Sequence, residues 1–114
     1  MFTHEKFDAY QLSIQFVQLA LELLDEIPSG HAYLCDQLRR GAFSICLNIA
    51  EGTGKNGRSD RARFYYIARG SAMECAAVCD LICLIDQRLG LRAEEAKAKL
   101  KSIVGILSTV CSAK

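Results

Sequence analysis

Histidine is scarce in this sequence, which has only His4 and His31 among its 114 residues. His4 lies near the N-terminus and His31 at the start of a predicted helix. Neither completes the Glu-x-x-His pairs that di-iron bundle proteins carry on two of their helices, and a histidine-dependent catalytic triad has no candidate members either. We therefore predict that the protein is not an enzyme and holds no metal and no cofactor.

Long apolar runs and tryptophan are also missing. Charged residues interrupt every apolar stretch before it reaches the roughly 20 residues that span a bilayer, so no membrane partner is expected. The N-terminal stretch contains acidic residues and no long apolar segment, which is not typical of a signal peptide. The sequence thus predicts a cytoplasmic protein.

Proline occurs once, and with most of the glycines it marks three breaks, Pro28–Gly30, Gly52–Gly57 and Gly90. Between the breaks the apolar residues recur with helical period and without strand-like alternation. Residues 1–114 therefore form one predicted all-α domain, an antiparallel up-down-up-down four-helix bundle. Ser59 is the predicted N-cap of helix three, and Gly90 its C-terminal stop. The predicted helices cover residues 5–27, 32–51, 60–89 and 93–112.

Cysteine is plentiful, with six residues, all of them within the apolar helical patterns. Such positions do not indicate the loop-rich disulfide framework of small secreted domains. Cys75, Cys79 and Cys83 follow one another at intervals of four, which resembles a thiolate metal site. Zinc sites favour other spacings and need a fourth ligand, so we predict that the cysteines pack as small hydrophobic residues.

Helix one carries two apolar rows where a bundle helix needs one. The first row, predicted to face the bundle core, is Phe7, Tyr10, Ile14, Val17, Leu21 and Leu24. The second row lies about 140° around the helix and needs another partner. We therefore predict an oligomer, with Leu12, Phe16, Leu19 and Leu23 as its interface residues. On helix three the predicted core row is Phe64, Ile67, Ser71, Cys75, Val78, Ile82, Ile85 and Leu89.

A polar stripe follows helix two on the side away from its apolar face. Its members are Gln37, Arg40, Ser44, Asn48 and Glu51. Helix three offers Arg69, Ser71 and Glu74 at comparable depth. Two interpretations stay open, a solvated face and a polar network or subunit contact with Arg–Glu hydrogen bonds. Gly41 and Gly70 are candidate positions for close approach of the two helices.

Charge is distributed unevenly although the net charge is only +1. Residues 1–38 contain one lysine and six acids, whereas residues 39–69 contain seven basic residues and two acids. A basic patch attracts an anionic partner even on a nearly neutral protein. The candidate nucleic-acid-binding residues are Arg39, Arg40, Lys55, Arg58, Arg61 and Arg63.

Two segments resemble a known family. They read Ser-Ile-x-x-Asn-Ile-Ala-Glu-Gly at 44–52 and Ile-Ala-x-Gly-Ser-x-x-Glu at 67–74. The chain resembles the four-helix bundle proteins encoded in intervening sequences of 23S ribosomal RNA genes, a family that includes the accessory variability determinant of diversity-generating retroelements. The family usually has alanine at the position of Gly41 and proline at that of Cys46.

The resemblance implies a barrel-like homopentamer. For the retroelement branch it also implies binding to nucleic acid and to a reverse transcriptase through a basic surface. By position, Arg39, Arg40, Lys55 and Arg58 match the family's basic residues, and Glu74 matches its helix-three glutamate. Two functions follow as expectations, a nucleic-acid-binding accessory factor and, as the alternative, a structural or protein-interaction scaffold with no nucleic-acid ligand.

Overall fold

The computed structural model describes residues 2–112 and is all-helical over that range. The ends of the predicted domain, residues 1, 113 and 114, lie outside it. Four long helices confirm the predicted all-α fold, and no strand occurs in the described part of the chain. The elements are a short 3₁₀ helix at Thr3–Lys6, α1 at Asp8–Glu26, α2 at Ala32–Thr53, α3 at Arg58–Ile85, a second 3₁₀ helix at Gln87–Leu89, and α4 at Gly90–Ser112.

Each long helix packs against the next one in the chain, and α4 returns to pack against α1. At the α2–α3 turn, the Thr53 and Tyr65 hydroxyls lie 2.8 Å apart in a hydrogen bond. Near the α3–α4 turn, Arg92 at the start of α4 forms an ion pair with Glu26 at the end of α1. The helices enclose one core of aliphatic residues, alanines, two cysteines and two aromatic residues.

The core row of α1 is the one that the sequence analysis assigned to the oligomer interface. Phe16 and Leu23 are fully buried within the protomer, so their predicted place at an interface is wrong. Leu12 and Leu19 are half-buried and pack against the same core. In contrast, Ile14 of the predicted core row is 46% exposed. The face of α1 that buries Phe16 and Leu23 also buries three small residues, Ala9, Ser13 and Ala20.

The boundary between α3 and α4 also differs from the prediction. α3 ends at Ile85, and Asp86 adopts an extended backbone conformation. The Asp86 carboxylate accepts a hydrogen bond from the Arg88 backbone N–H at 3.0 Å, which caps the second 3₁₀ helix. Gly90 has right-handed helical angles and begins α4 instead of stopping α3. At the other end, Gly57 and not Ser59 is the N-cap of α3.

Candidate interaction surfaces

A small polar contact joins α2 to α3 through two serine hydroxyls, one of which also accepts a hydrogen bond from Asn48 of α2. The hydroxyls of Ser44 and Ser71 lie 2.8 Å apart in a hydrogen bond between the two helices. Asn48 donates from Nδ2 to the Ser44 carbonyl at 2.8 Å and to the Ser44 hydroxyl at 3.1 Å. All three side chains are partly buried, so these hydrogen bonds satisfy groups that would otherwise destabilise the contact.

The other predicted residues do not join this polar contact. Arg69 donates from Nη1 to the Ser108 hydroxyl of α4 at 3.3 Å, because two residues along a helix separate it from Ser71 by about 160° of rotation. Glu51 forms an ion pair with Lys55 one turn along the chain, 3.0 Å apart. Two further members, Gln37 and Glu74, form no hydrogen bond or ion pair within residues 2–112.

α2 and α3 approach closely at Gly41, where a Cβ would lie 2.5 Å from the Cys75 Sγ. A Cβ at Gly52 would lie 2.8 Å from the ring of Tyr65. Gly70 does not have the predicted role, since a Cβ there would meet nothing within 4 Å. The α2–α3 contact thus depends on glycine at two positions of α2 and on none of α3.

Four of the six predicted basic residues gather around the α2–α3 turn, and we call this group the basic end: Lys55, Arg58, Arg61 and Arg63. Lys55 and Arg63 both lie over the ring of Phe64, at 5.4 and 4.5 Å from its centroid. Arg61 donates from Nη1 to the Lys55 carbonyl at 3.4 Å. Arg58 and Arg61 also line a surface pocket of about 330 Å³ beside Tyr65.

Arg39 and Arg40 lie elsewhere, so the six residues do not form one patch on the protomer. Thirteen helical residues separate Arg40 from the end of α2, which corresponds to about 20 Å along the helix axis. Arg40 forms an ion pair with Asp36 at 3.3 Å. Arg39 is exposed and has no ion pair or hydrogen bond with any described residue.

The outer side of α3 is a second surface, which the sequence analysis missed. We call it the α3 face, and its exposed large residues are Tyr66, Ile67, Met73, Leu81 and Leu84. Met73 is 57% exposed and Leu84 is 81% exposed, whereas the inner side of α3 buries small residues such as Ala68 and Ala72. The sequence signal was available, because α3 has large apolar residues on the side opposite to most of its alanines and to its cysteines.

A third surface lies between α1 and α2, where Tyr10 of α1 is next to Cys46 of α2. Ile14 and Leu21 of α1 are both 46% exposed there, and Phe43 of α2 is exposed to a similar extent. We call this surface the α1–α2 face. It consists of residues that the sequence analysis had assigned to the core row of α1, together with one aromatic residue of α2.

The two buried thiols of the core, Cys75 and Cys79, are unreactive at neutral pH. Burial raises the pKa of Cys75 to about 12, with a further contribution from the neighbouring Cys79. Burial also raises the pKa of Cys79 to about 12. Both thiols are therefore protonated at neutral pH, and a protonated thiol is neither a nucleophile nor a metal ligand. Among residues 2–112, no group of His, Cys, Asp and Glu side chains could hold a metal ion.

These features define a small all-α bundle protein with exposed apolar surfaces, and none of the helices within the described range is long and apolar enough to cross a membrane. The chain belongs to the 23S rRNA-intervening sequence protein family, whose model matches residues 5–109.

The chain is also similar in fold to a crystal structure of a protein with unknown function from the S23 ribosomal protein family of Bacteroides thetaiotaomicron. The TM-score is 0.82 at 19% sequence identity, over 92% of this chain and 99% of the other. At this identity the likeness shows the fold alone. No curated protein matches the chain.

Proposed function

We propose that this protein is a non-enzymatic bundle that assembles with copies of itself and acts as a scaffold. The observation that carries the proposal is the α3 face. Soluble monomers rarely expose apolar patches larger than a few hundred Å², and the α3 face extends from Tyr66 to Leu84, about 27 Å along the helix. A second copy that covers this face would remove its apolar side chains from water.

The arrangement of the protomer that we propose is up-down-up-down. Two contacts support it: α2 ends beside the start of α3 at Thr53 and Tyr65, and α1 ends beside the start of α4 at Glu26 and Arg92. The family resemblance supports five copies in the assembly. The absence of catalysis is supported by the protonated state of Cys75 and Cys79, which removes two of the six thiols as nucleophiles.

Self-assembly is tested by light scattering on a size-exclusion column. We expect the wild-type protein to elute as a pentamer at micromolar concentration, and Leu84→Lys to elute with a much larger monomer fraction because it places a charge on the α3 face. Leu91→Lys is the matched control, since Leu91 is 89% exposed but lies on α4. A wild-type protein that elutes only as a monomer would contradict the proposal.

Nucleic-acid binding is a second candidate function, and the basic end favours it. Arg58 has no acidic partner among the described residues, and Arg61 contacts only a backbone carbonyl there. Assembly would repeat this cluster once per copy, and binding of a phosphate backbone grows with the number of cations that contact it. Under this candidate the assembly is an accessory factor for RNA or DNA, with a reverse transcriptase as its protein partner.

The second candidate is tested with fluorescein-labelled single-stranded RNA and DNA and an RNA–DNA hybrid at about 50 mM salt, where electrostatic binding is strong. We expect the double variant Arg58→Ala with Arg61→Ala to bind at least about tenfold more weakly than wild type. A protein that makes fewer phosphate contacts releases fewer counterions on binding, which lowers its affinity. The control is Arg88→Ala with Arg92→Ala, since these arginines are held by Asp86 and Glu26. If the wild-type protein bound none of the three probes, nucleic-acid binding would be ruled out and the scaffold function would remain.

A further inference from the structure

The α3 face carries one charge in its centre. From Gly70 to Cys79 the only charged residue is Glu74, and it is exposed without an ion pair or hydrogen bond in the described chain. The charges nearest to the edge of the face already have partners. Arg69 contacts the Ser108 hydroxyl of α4 and lies over the ring of Tyr66, 5.3 Å from its centroid. Asp80 contacts Lys97 of α4 at 2.7 Å. A partner that covers the α3 face must therefore accommodate one isolated carboxylate.

The α1–α2 face carries one charge of the opposite sign. Residues 9–21 of α1 and residues 41–50 of α2 contain no charged residue at all. Arg39 lies one helical turn before Phe43 and therefore on the same side of α2. Arg39 is exposed, and residues 2–112 offer it no acidic partner. A partner that covers this face must accommodate one isolated guanidinium.

Burial of either charge without a partner would be costly, because an unpaired ion loses its hydration. Each face thus excludes a purely apolar occupant, and each supplies the ion that the other lacks. An arginine and a carboxylate satisfy one another especially well, through two parallel N–H···O hydrogen bonds. Arg40, the adjacent arginine, is less available for this role because it already forms an ion pair with Asp36.

We propose that the α3 face of one copy docks on the α1–α2 face of the next copy, with Glu74 paired to Arg39 across the contact. This inference rests on the proposed self-assembly and specifies its geometry. Because two different surfaces of the protomer meet, the contact is head-to-tail, and repetition of it generates a closed ring or an open filament. Ile14, Leu21 and Phe43 then cover apolar residues of the α3 face.

The test is a charge swap on the full chain, measured by sedimentation velocity across protein concentrations. Both Glu74→Arg and Arg39→Glu place like charges opposite one another, which destabilises an interface. We therefore expect each to raise the dissociation constant at least 100-fold. The double variant Glu74→Arg with Arg39→Glu restores opposite charges and is expected to assemble within about tenfold of wild type. Circular dichroism checks that the variants fold, which exposed positions should permit.

Arg40→Glu is the matched control, since it changes the charge by the same amount at the neighbouring position and is expected to assemble as wild type does. Assembly of Glu74→Arg or Arg39→Glu at wild-type affinity would overturn the proposed docking while leaving self-assembly intact. Dissociation of both single variants without recovery in the double variant would overturn the Glu74–Arg39 pair. A monomeric wild-type protein would overturn self-assembly and, with it, this geometry.

Discussion

Replacement of Phe16 by alanine is expected to lower the free energy of unfolding by about 3–5 kcal/mol. Phe16 is fully buried and is one of the largest side chains of the core. Its removal loses the transfer free energy of the ring and leaves a cavity that the surrounding helices fill only in part. Urea denaturation followed by circular dichroism at 222 nm, at one fixed protein concentration, measures the loss.

Leu91→Ala is the control for this variant. Leu91 is 89% exposed, so its truncation should change the free energy of unfolding by no more than about 0.5 kcal/mol. The experiment also decides between the two apolar rows of α1. If Phe16→Ala dissociated the assembly and left the stability of the protomer unchanged, Phe16 would belong to an interface, as its sequence pattern alone indicated.

Replacement of Gly41 by valine is expected to lower the free energy of unfolding by about 2–3 kcal/mol. A Cβ at this position lies 2.5 Å from the Cys75 Sγ, and overpacking of a tight core costs about 1–3 kcal/mol. The two γ-methyl groups of valine place the cost at the upper end. Valine gains only part of the roughly 1 kcal/mol of helix propensity that separates glycine from alanine, which does not offset the clash.

A double-mutant cycle with Cys75→Ala isolates this contact. Removal of the sulfur should recover at least about 1 kcal/mol of the loss, because the two positions are in direct contact and their effects do not add. Gly105→Ala is the control on α4, where a Cβ meets nothing within 4 Å, and it should stabilise the protein by up to about 1 kcal/mol. Stabilisation by Gly41→Val would show that α2 and α3 are less tightly packed than the structure indicates.

The four helices could be predicted from the sequence because their limits are set locally. Proline and glycine fall at or next to the turns, and apolar residues recur with helical period between them. The end of α3 was placed too far along because a local side-chain contact stops the helix. The Asp86 carboxylate binds the Arg88 backbone N–H at 3.0 Å and forms an ion pair with its guanidinium at 2.7 Å.

The orientation of the helices about their own axes could not be predicted from periodicity alone. On α1, two apolar rows have the same period, and the choice between them depends on which side the neighbouring helices can approach. The structure selects the side with Ala9 and Ser13, because small residues permit close packing. On α3 the first half of the core row is shifted by one residue, from Ile67 to Ala68, which turns the larger side chain outward.

The candidate site could be predicted only as a set of residue types. The sequence left open whether the polar stripe of α2 is solvated or makes a polar contact. In the structure a hydrogen bond between Ser44 and Ser71 joins α2 to α3, and Asn48 bonds to Ser44 within α2. The Arg–Glu part of that network does not form within the protomer, since Arg69 is directed toward α4. Likewise the basic residues predicted to bind nucleic acid lie in two separate places, because more than half of α2 lies between Arg39 and the basic end.

The buried thiols of Cys75 and Cys79 can report when α3 detaches from the rest of the bundle. With a pKa of about 12, Cys75 and Cys79 are thiolates in about one molecule in 10⁵ at pH 7, against a few per cent for a thiol with an ordinary pKa near 8.5. An alkylating reagent therefore modifies them almost exclusively while α3 is detached from its neighbours. The rate at which Cys75 and Cys79 are alkylated therefore reports how often α3 detaches from its neighbours.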